Sequence, residues 1–162
     1  MERVRLLLRP ALRTALHSVR PANLRLEYKD SFRYVGQGEP LAETLLNSNS
    51  DLIASHVFQR TKLWHSHTGF FEEASGCSAR LVQVNLDAND AIDAMRPQSP
   101  PFRMVAITTG VQNNFDGQGP ELIDNEDELA TSLVSMFDSL HERAIELFKN
   151  VIHPSVAARV GL

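Results

Sequence analysis

The stretch "KLWHSHTGFF", residues 62–71, sets two imidazoles one residue apart, His65 and His67, beside the only tryptophan, Trp64. In an extended chain, residues two apart project to the same side. His65 and His67 could therefore direct two nitrogens at one ion such as zinc. A working site needs a third and usually a fourth ligand. His56, Cys77 and Asp87 are the candidates, and each can arrive only through strand pairing. There is no HExxH and no paired CxxC, so spacing offers nothing beyond the two histidines. The plainer reading is a partly solvated strand face with the Trp64 ring turned the other way, and the sequence favours it. A metal-dependent enzyme using His65 and His67 stands as an alternative.

Other chemistry finds less support. "DANDAID", Asp87 to Asp93, has acids at calcium-loop density but lacks the central glycine and terminal glutamate of an EF-hand. Asn89 or Asp90 capping a helical turn over "AIDAM" accounts for the acids better. Cys77 sits between Gly76 and Ser78 with no base in reach of the sequence, and no GxSxG elbow occurs. The two "GQG" triplets, 36–38 and 117–119, suit turns and match no phosphate-binding fingerprint. No catalytic residue and no cofactor is assigned. His141 and Glu142 fall on the polar rim of a late apolar helix. A ligand pocket between that helix and the sheet would be lined by Trp64, Phe137, Leu140, His141 and Phe148, although such stripes are more often packed core.

The elements that must position these groups are legible from periodicity. Val4, Leu7, Leu8, Ala11, Leu12, Ala15, Leu16 and Val19 recur at helical spacing, which predicts an N-terminal helix over 1–20 that Pro21 stops. Its arginines and scarcity of acid resemble a transit peptide, but no small-residue cleavage signal follows. "NLRLEYKDSFRYV" alternates as a strand with Leu24, Leu26 and Tyr28 on one side. A helical turn follows at "LAETLLN". Residues 52–73 read as two strands, and "ARLVQVNLDA" as a third with Val82, Val84, Leu86 and Ala88 on one face. "RPQSPP" is a stiff linker, and "FRMVAITTGV" a more continuous apolar strand placed centrally. Leu129, Leu133, Met136, Phe137, Leu140, Ala144, Leu147, Phe148 and Val151 mark a long helix over 125–152, begun by a capping box of Asn125 and Glu128. A short tail helix covers 155–160. The expected fold is a single α+β domain, 1–162: an antiparallel sheet of about five strands within 24–115, covered on one face by the two amphipathic helices.

Composition narrows the partners. The formal net charge of −4 gives no support to a general polyanion-binding role, so nucleic acid is disfavoured. Residues 1–33 nevertheless carry eight basic against three acidic side chains, leaving the rest of the chain acidic. One cysteine excludes an internal disulfide and suits a reducing cytoplasm. No apolar run approaches the roughly 20 residues that span a bilayer, so no membrane partner is expected.

Three segments, "LRLEYKDSFRY", "LVQVNLDAND" and "LATSLVSMFDSLHERAIELFKNVIHP", resemble an uncharacterised prokaryotic family of sporadic distribution. The likeness falls on Tyr28-Lys29-Asp30, Leu86-Asp87, and Leu140-His141 with Phe148 and Ile152, and would align the chain with the family's C-terminal two-thirds. Glu27 stands where the family usually has Arg, and an upstream β segment would be expected before the first residue. The resemblance implies either a shortened member whose sheet a partner completes or a natural variant; it implies no activity and no site residue. The resulting expectation is a cytoplasmic binding or assembly module, a homodimer or the holder of another protein, with the small-ligand pocket as the second reading.

Overall fold

The computed structural model describes residues 22–34, 42–116 and 126–162. The expected N-terminal helix, the loops at 36–40 and 117–119, and the capping pair of Asn125 with the Glu128 side chain lie outside the described residues. In chain order the elements are β1 (Asn23–Arg33), α1 (Ala42–Leu45), a 3-10 turn (Ser55–Gln59), β2 (Trp64–Glu72), β3 (Ala79–Ala91), β4 (Phe102–Asn114), α2 (Glu126–Val151) and α3 (Pro154–Arg159). The described strands form one antiparallel sheet in the order β1-β4-β3-β2.

Alternation in the sequence becomes two unlike faces. Val82, Val84, Leu86 and Ala88 of β3 are buried, and they pair with Val111, Thr109, Ile107 and Val105 of β4. The residues between them on β3, such as Gln83, Asn85 and Asp87, are half-buried on the other face. Leu140, Ala144, Leu147 and Val151 of α2, all nearly free of solvent contact, join the core formed by the buried strand face. Each such Leu or Val contributes about 1.5–3 kcal/mol relative to exposure. β4 is central, as its continuous apolar run predicts, with Val105, Ala106, Ile107, Thr109, Gly110 and Val111 all buried.

The segment between α1 and β2 ties the sheet to the end of the long helix. Asn47 Nδ2 donates to the Asn150 carbonyl (2.9 Å) and Asn47 N–H to the Val151 carbonyl (2.9 Å). These satisfy two of the carbonyls that a helix C-terminus leaves without an intrahelical partner. His153 N–H donates to Leu45 O (2.8 Å), and the neighbouring Leu46 and Ile152 form an isolated bridge with both side chains fully buried.

Two expectations are corrected. Residues 52–73 hold one strand, not two, so the described sheet has four strands. The first half folds into a 3-10 turn that inserts Val57, fully buried, into the core. That burial outweighs the strand preference of its β-branched and aromatic residues. The helical turn expected over "AIDAM" is also absent: β3 continues to Ala91, with Asn89 opposite Met104 and Asp90 opposite Arg103. Arg103 Nε donates to Asp90 Oδ1 (2.6 Å), so the acid serves cross-strand pairing rather than a cap.

Candidate functional site

β2 separates its residues as the parity argument requires. Trp64 and Ser66 are buried toward the helices, whereas His65 and His67 are exposed on the opposite face. The two imidazole centroids lie 5.5 Å apart. His67 Nε2 stands 3.5 Å from Asp87 Oδ1, a diagonal contact, since Asp87 is directly opposite His65 in the register. His56 Nε2 is engaged by the His65 carbonyl at 3.1 Å, which turns that ring toward backbone. Cys77 lies in the β2–β3 turn at the far end of the hairpin, with its Sγ 3.5 Å from Ala74 O. Among the described residues no group of three or more His, Cys, Asp or Glu side chains is placed to share a metal ion. An open hollow of about 460 Å³ does lie here, bounded by His56, Arg60, Leu63, Trp64, His65 and His67.

The five residues expected around a pocket disperse. His141 and Phe148 line a gap of about 420 Å³ between β1 and α2, together with Tyr28, Asp30, Phe32 and Ile145. Tyr28 Oη and His141 Nδ1 are 2.7 Å apart, with the rings edge to face, and Phe148 stacks on Phe32 at a centroid distance of 6.4 Å. Trp64 lines a separate hollow of about 400 Å³ with Leu45, Val156 and Arg159. Leu140 is fully buried core, and Phe137 packs half-buried against the core.

A charged clamp that sequence reasoning missed joins the β2–β3 hairpin to α2. Arg143 donates to both oxygens of Glu72, Nε to Oε1 (3.1 Å) and Nη2 to Oε2 (2.8 Å), and its Nη1 reaches Glu146 (3.0 Å). Glu72 holds the Arg143 guanidinium above its ordinary pKa, chiefly through these side-chain hydrogen bonds, against the opposing effect of desolvation. Arg80, buried, sets Nη1 3.9 Å from Glu72 and donates to Asn113 (2.8 Å) and Ser139 (3.0 Å). The signal was in the parity: Glu72 shares the inward side of β2 with Trp64 and Phe70, and Arg80 shares that of β3 with Val82, Val84, Leu86 and Ala88.

The remaining feature is the outer edge of β1. Phe115 N–H donates to Ala22 O and Tyr34 N–H to Arg103 O, each at 3.0 Å. In an antiparallel pair both backbone polar groups of a residue point the same way, and the direction alternates along the strand. The even-numbered residues of β1 therefore face β4. Asn23, Arg25, Glu27, Lys29, Ser31 and Arg33 turn their N–H and C=O groups outward, and among the described residues no strand pairs with that edge. On the side-chain level Arg25 bends back across β4, donating to Glu27 (2.5 Å) and Gln83 (2.7 Å). Gly110 permits this, because a Cβ there would stand 3.0 Å from Arg25 Nη2.

No protein-family model matches the chain, and no curated protein or solved structure matches it either. What the described residues define is an α+β architecture: a four-stranded antiparallel sheet backed on one face by a long helix. Among those residues no helix is long and apolar enough to cross a membrane.

Proposed function

We propose that the protein is a non-enzymatic binding module that takes up an additional β-strand along the outer edge of β1. The observation that carries this reading is the run of six outward-facing residues, Asn23 to Arg33, whose backbone donors and acceptors meet no strand among the described residues. Such an edge is a template for strand addition, in which main-chain hydrogen bonds supply affinity and alternate side chains supply selectivity. The reading includes a cytoplasmic location, motivated by the single unpaired Cys77. It also keeps the likeness to the sporadically distributed, uncharacterised prokaryotic family.

Hydrogen exchange tests it with two peptides, one copying residues 23–33 and one of the same composition scrambled. In dilute protein the amides of Arg25, Glu27 and Lys29 exchange far faster than those of Leu26 and Tyr28. Adding a strand slows the outward set by roughly tenfold or more, as for amides entering a ladder. Ser31→Pro, which removes one outward N–H and leaves the β4 ladder intact, weakens that protection. Outward amides that stay unprotected with both peptides refute strand addition.

A second reading is a small ligand in the gap bounded by Tyr28, Asp30, His141 and Phe148, which combines an apolar floor with a few polar groups. Its observation is the 2.7 Å Tyr28–His141 contact at the rim.

A further inference from the structure

The edge of β1 carries a charge pattern that distinguishes one partner strand from others. We propose that its occupant is a second copy of β1, paired antiparallel about a twofold axis through Tyr28, so that two four-stranded sheets join into one. This rests on the strand-addition reading above and names its partner.

Directly opposite residues of an antiparallel pair lie on the same face, so each twofold register can be tested by what it sets side by side. Centring on Tyr28 places Glu27 opposite the second copy's Lys29, and Lys29 opposite its Glu27. Arg25 then meets Ser31, and Asn23 meets Arg33. All six outward residues fall at hydrogen-bonded positions, since the odd-numbered ones turn their backbone outward. On the helix side Leu24 meets Phe32 and Tyr28 meets its own copy; Leu26 opposite Asp30 is the one mismatched pair.

Neighbouring registers fail on charge or length. Centring on Glu27 sets that carboxylate against itself and Arg25 against Lys29. Centring on Lys29 sets Lys29 against itself and Arg25 against Arg33. Centring on Leu26 or Asp30 shortens the ladder, and the latter also opposes two Asp30 carboxylates. A register centred between residues would place the polar face of one copy beside the apolar face of the other. Charges along an edge strand ordinarily deter indiscriminate pairing; here the same charges leave one full-length register without opposed like charges. Tyr28 also lines the gap beside His141, so two copies of that gap would meet across the axis.

The test uses the full chain. Sedimentation velocity over a concentration series gives a monomer–dimer equilibrium for the wild type. Glu27→Lys and Lys29→Glu each turn two attractive cross-strand pairs repulsive and weaken the dimer roughly tenfold or more. The double exchange, Glu27→Lys with Lys29→Glu, restores it, an outcome that the Leu26- and Asp30-centred registers do not give. In a Cys77→Ser background, Tyr28→Cys cross-links under mild oxidation, because facing residues at a non-hydrogen-bonded position lie about 4.5 Å apart, within disulfide reach. Leu26→Cys and Asp30→Cys do not. Should Tyr28→Cys fail to fold by circular dichroism, the charge exchange on the exposed side carries the test alone.

A wild type that stays monomeric at high concentration overturns self-pairing, as does protection of the edge by the scrambled peptide equal to that by the β1 copy. Both leave strand addition itself to the exchange experiment. Cross-linking at Leu26 or Asp30 instead of Tyr28 overturns the register. A dimer indifferent to the charge reversals and to Ser31→Pro uses another surface and overturns the self-pairing together with the edge as its site.

Discussion

Replacing Glu72 with alanine removes the centre of the clamp between the β2–β3 hairpin and α2, and its cost can be worked from the contacts. Arg143 loses two charge-assisted hydrogen bonds, at 3.1 and 2.8 Å. Charged hydrogen bonds contribute about 1.5–3 kcal/mol when buried. The Glu72 and Arg143 side chains retain 23% and 29% of their exposure, so about 1 kcal/mol apiece is the better figure. Arg80, with only 10% of its side chain exposed, then keeps Asn113 and Ser139 but loses its carboxylate neighbour, adding about 1 kcal/mol. Glu72→Ala should therefore destabilise by about 3 kcal/mol, a fall in Tm of roughly 6–12 °C for a chain of this size. Arg143→Met should cost less, about 1–2 kcal/mol, since Arg80 remains near Glu72 and Glu146 is largely solvated. Urea denaturation of both single variants and the double variant gives the coupling energy, expected at about 1–2 kcal/mol. A Glu72→Ala loss below about 0.5 kcal/mol, or a coupling indistinguishable from zero, would refute the clamp as a source of stability.

The alkaline limb of the same clamp has a definite sign. Arg143 binds its proton more tightly folded than unfolded, so its contribution is complete below the unfolded pKa and fades only as pH rises through the folded one. The stability gap between wild type and Arg143→Met should thus stay flat in urea titrations from neutral pH to about pH 10. Gly76 has φ 78°, in the left-handed region, within the β2–β3 turn, so Gly76→Ala should cost about 1 kcal/mol by thermal melt although space is open around it. Asn47→Ala should lose about 1 kcal/mol by uncapping the Asn150 carbonyl, and faster exchange in the last turn of α2 would accompany it. For the hollow beside β2, isothermal titration with zinc should give no binding that His65→Ala or His67→Ala abolishes; tight, histidine-dependent binding would revive the metal site.

Parity made much of this architecture readable in advance. The alternation of Val82, Val84, Leu86 and Ala88, the apolar run of β4 and the helical spacing from Leu133 to Val151 correspond to the buried strand face, the central strand and the long helix. The separation of Trp64 from His65 and His67 followed from the same two-residue period. The sequence pattern failed where burial overrode local preference, as when Val57 drew a β-prone stretch into a 3-10 turn. It failed again where a polar residue had a distant partner. Asp90 resembled a cap until β4 brought Arg103 alongside, and nothing near Glu72 or Arg80 in the sequence pointed to Arg143, which α2 brings to Glu72.

For the histidines that opened the question, the sequence determined that both imidazoles share a face, because side-chain direction is a property of the extended backbone itself. Only the tertiary structure decided what stands beside them: Asp87 near His67, His56 turned to a carbonyl, and Cys77 at the other end of the hairpin. The edge of β1 divides in the same way. Its charges were fixed by the sequence, but which backbone groups face outward depended on where β4 paired, a register set by residues some eighty positions away. Local periodicity fixes which residues travel together, and long-range pairing fixes what they meet.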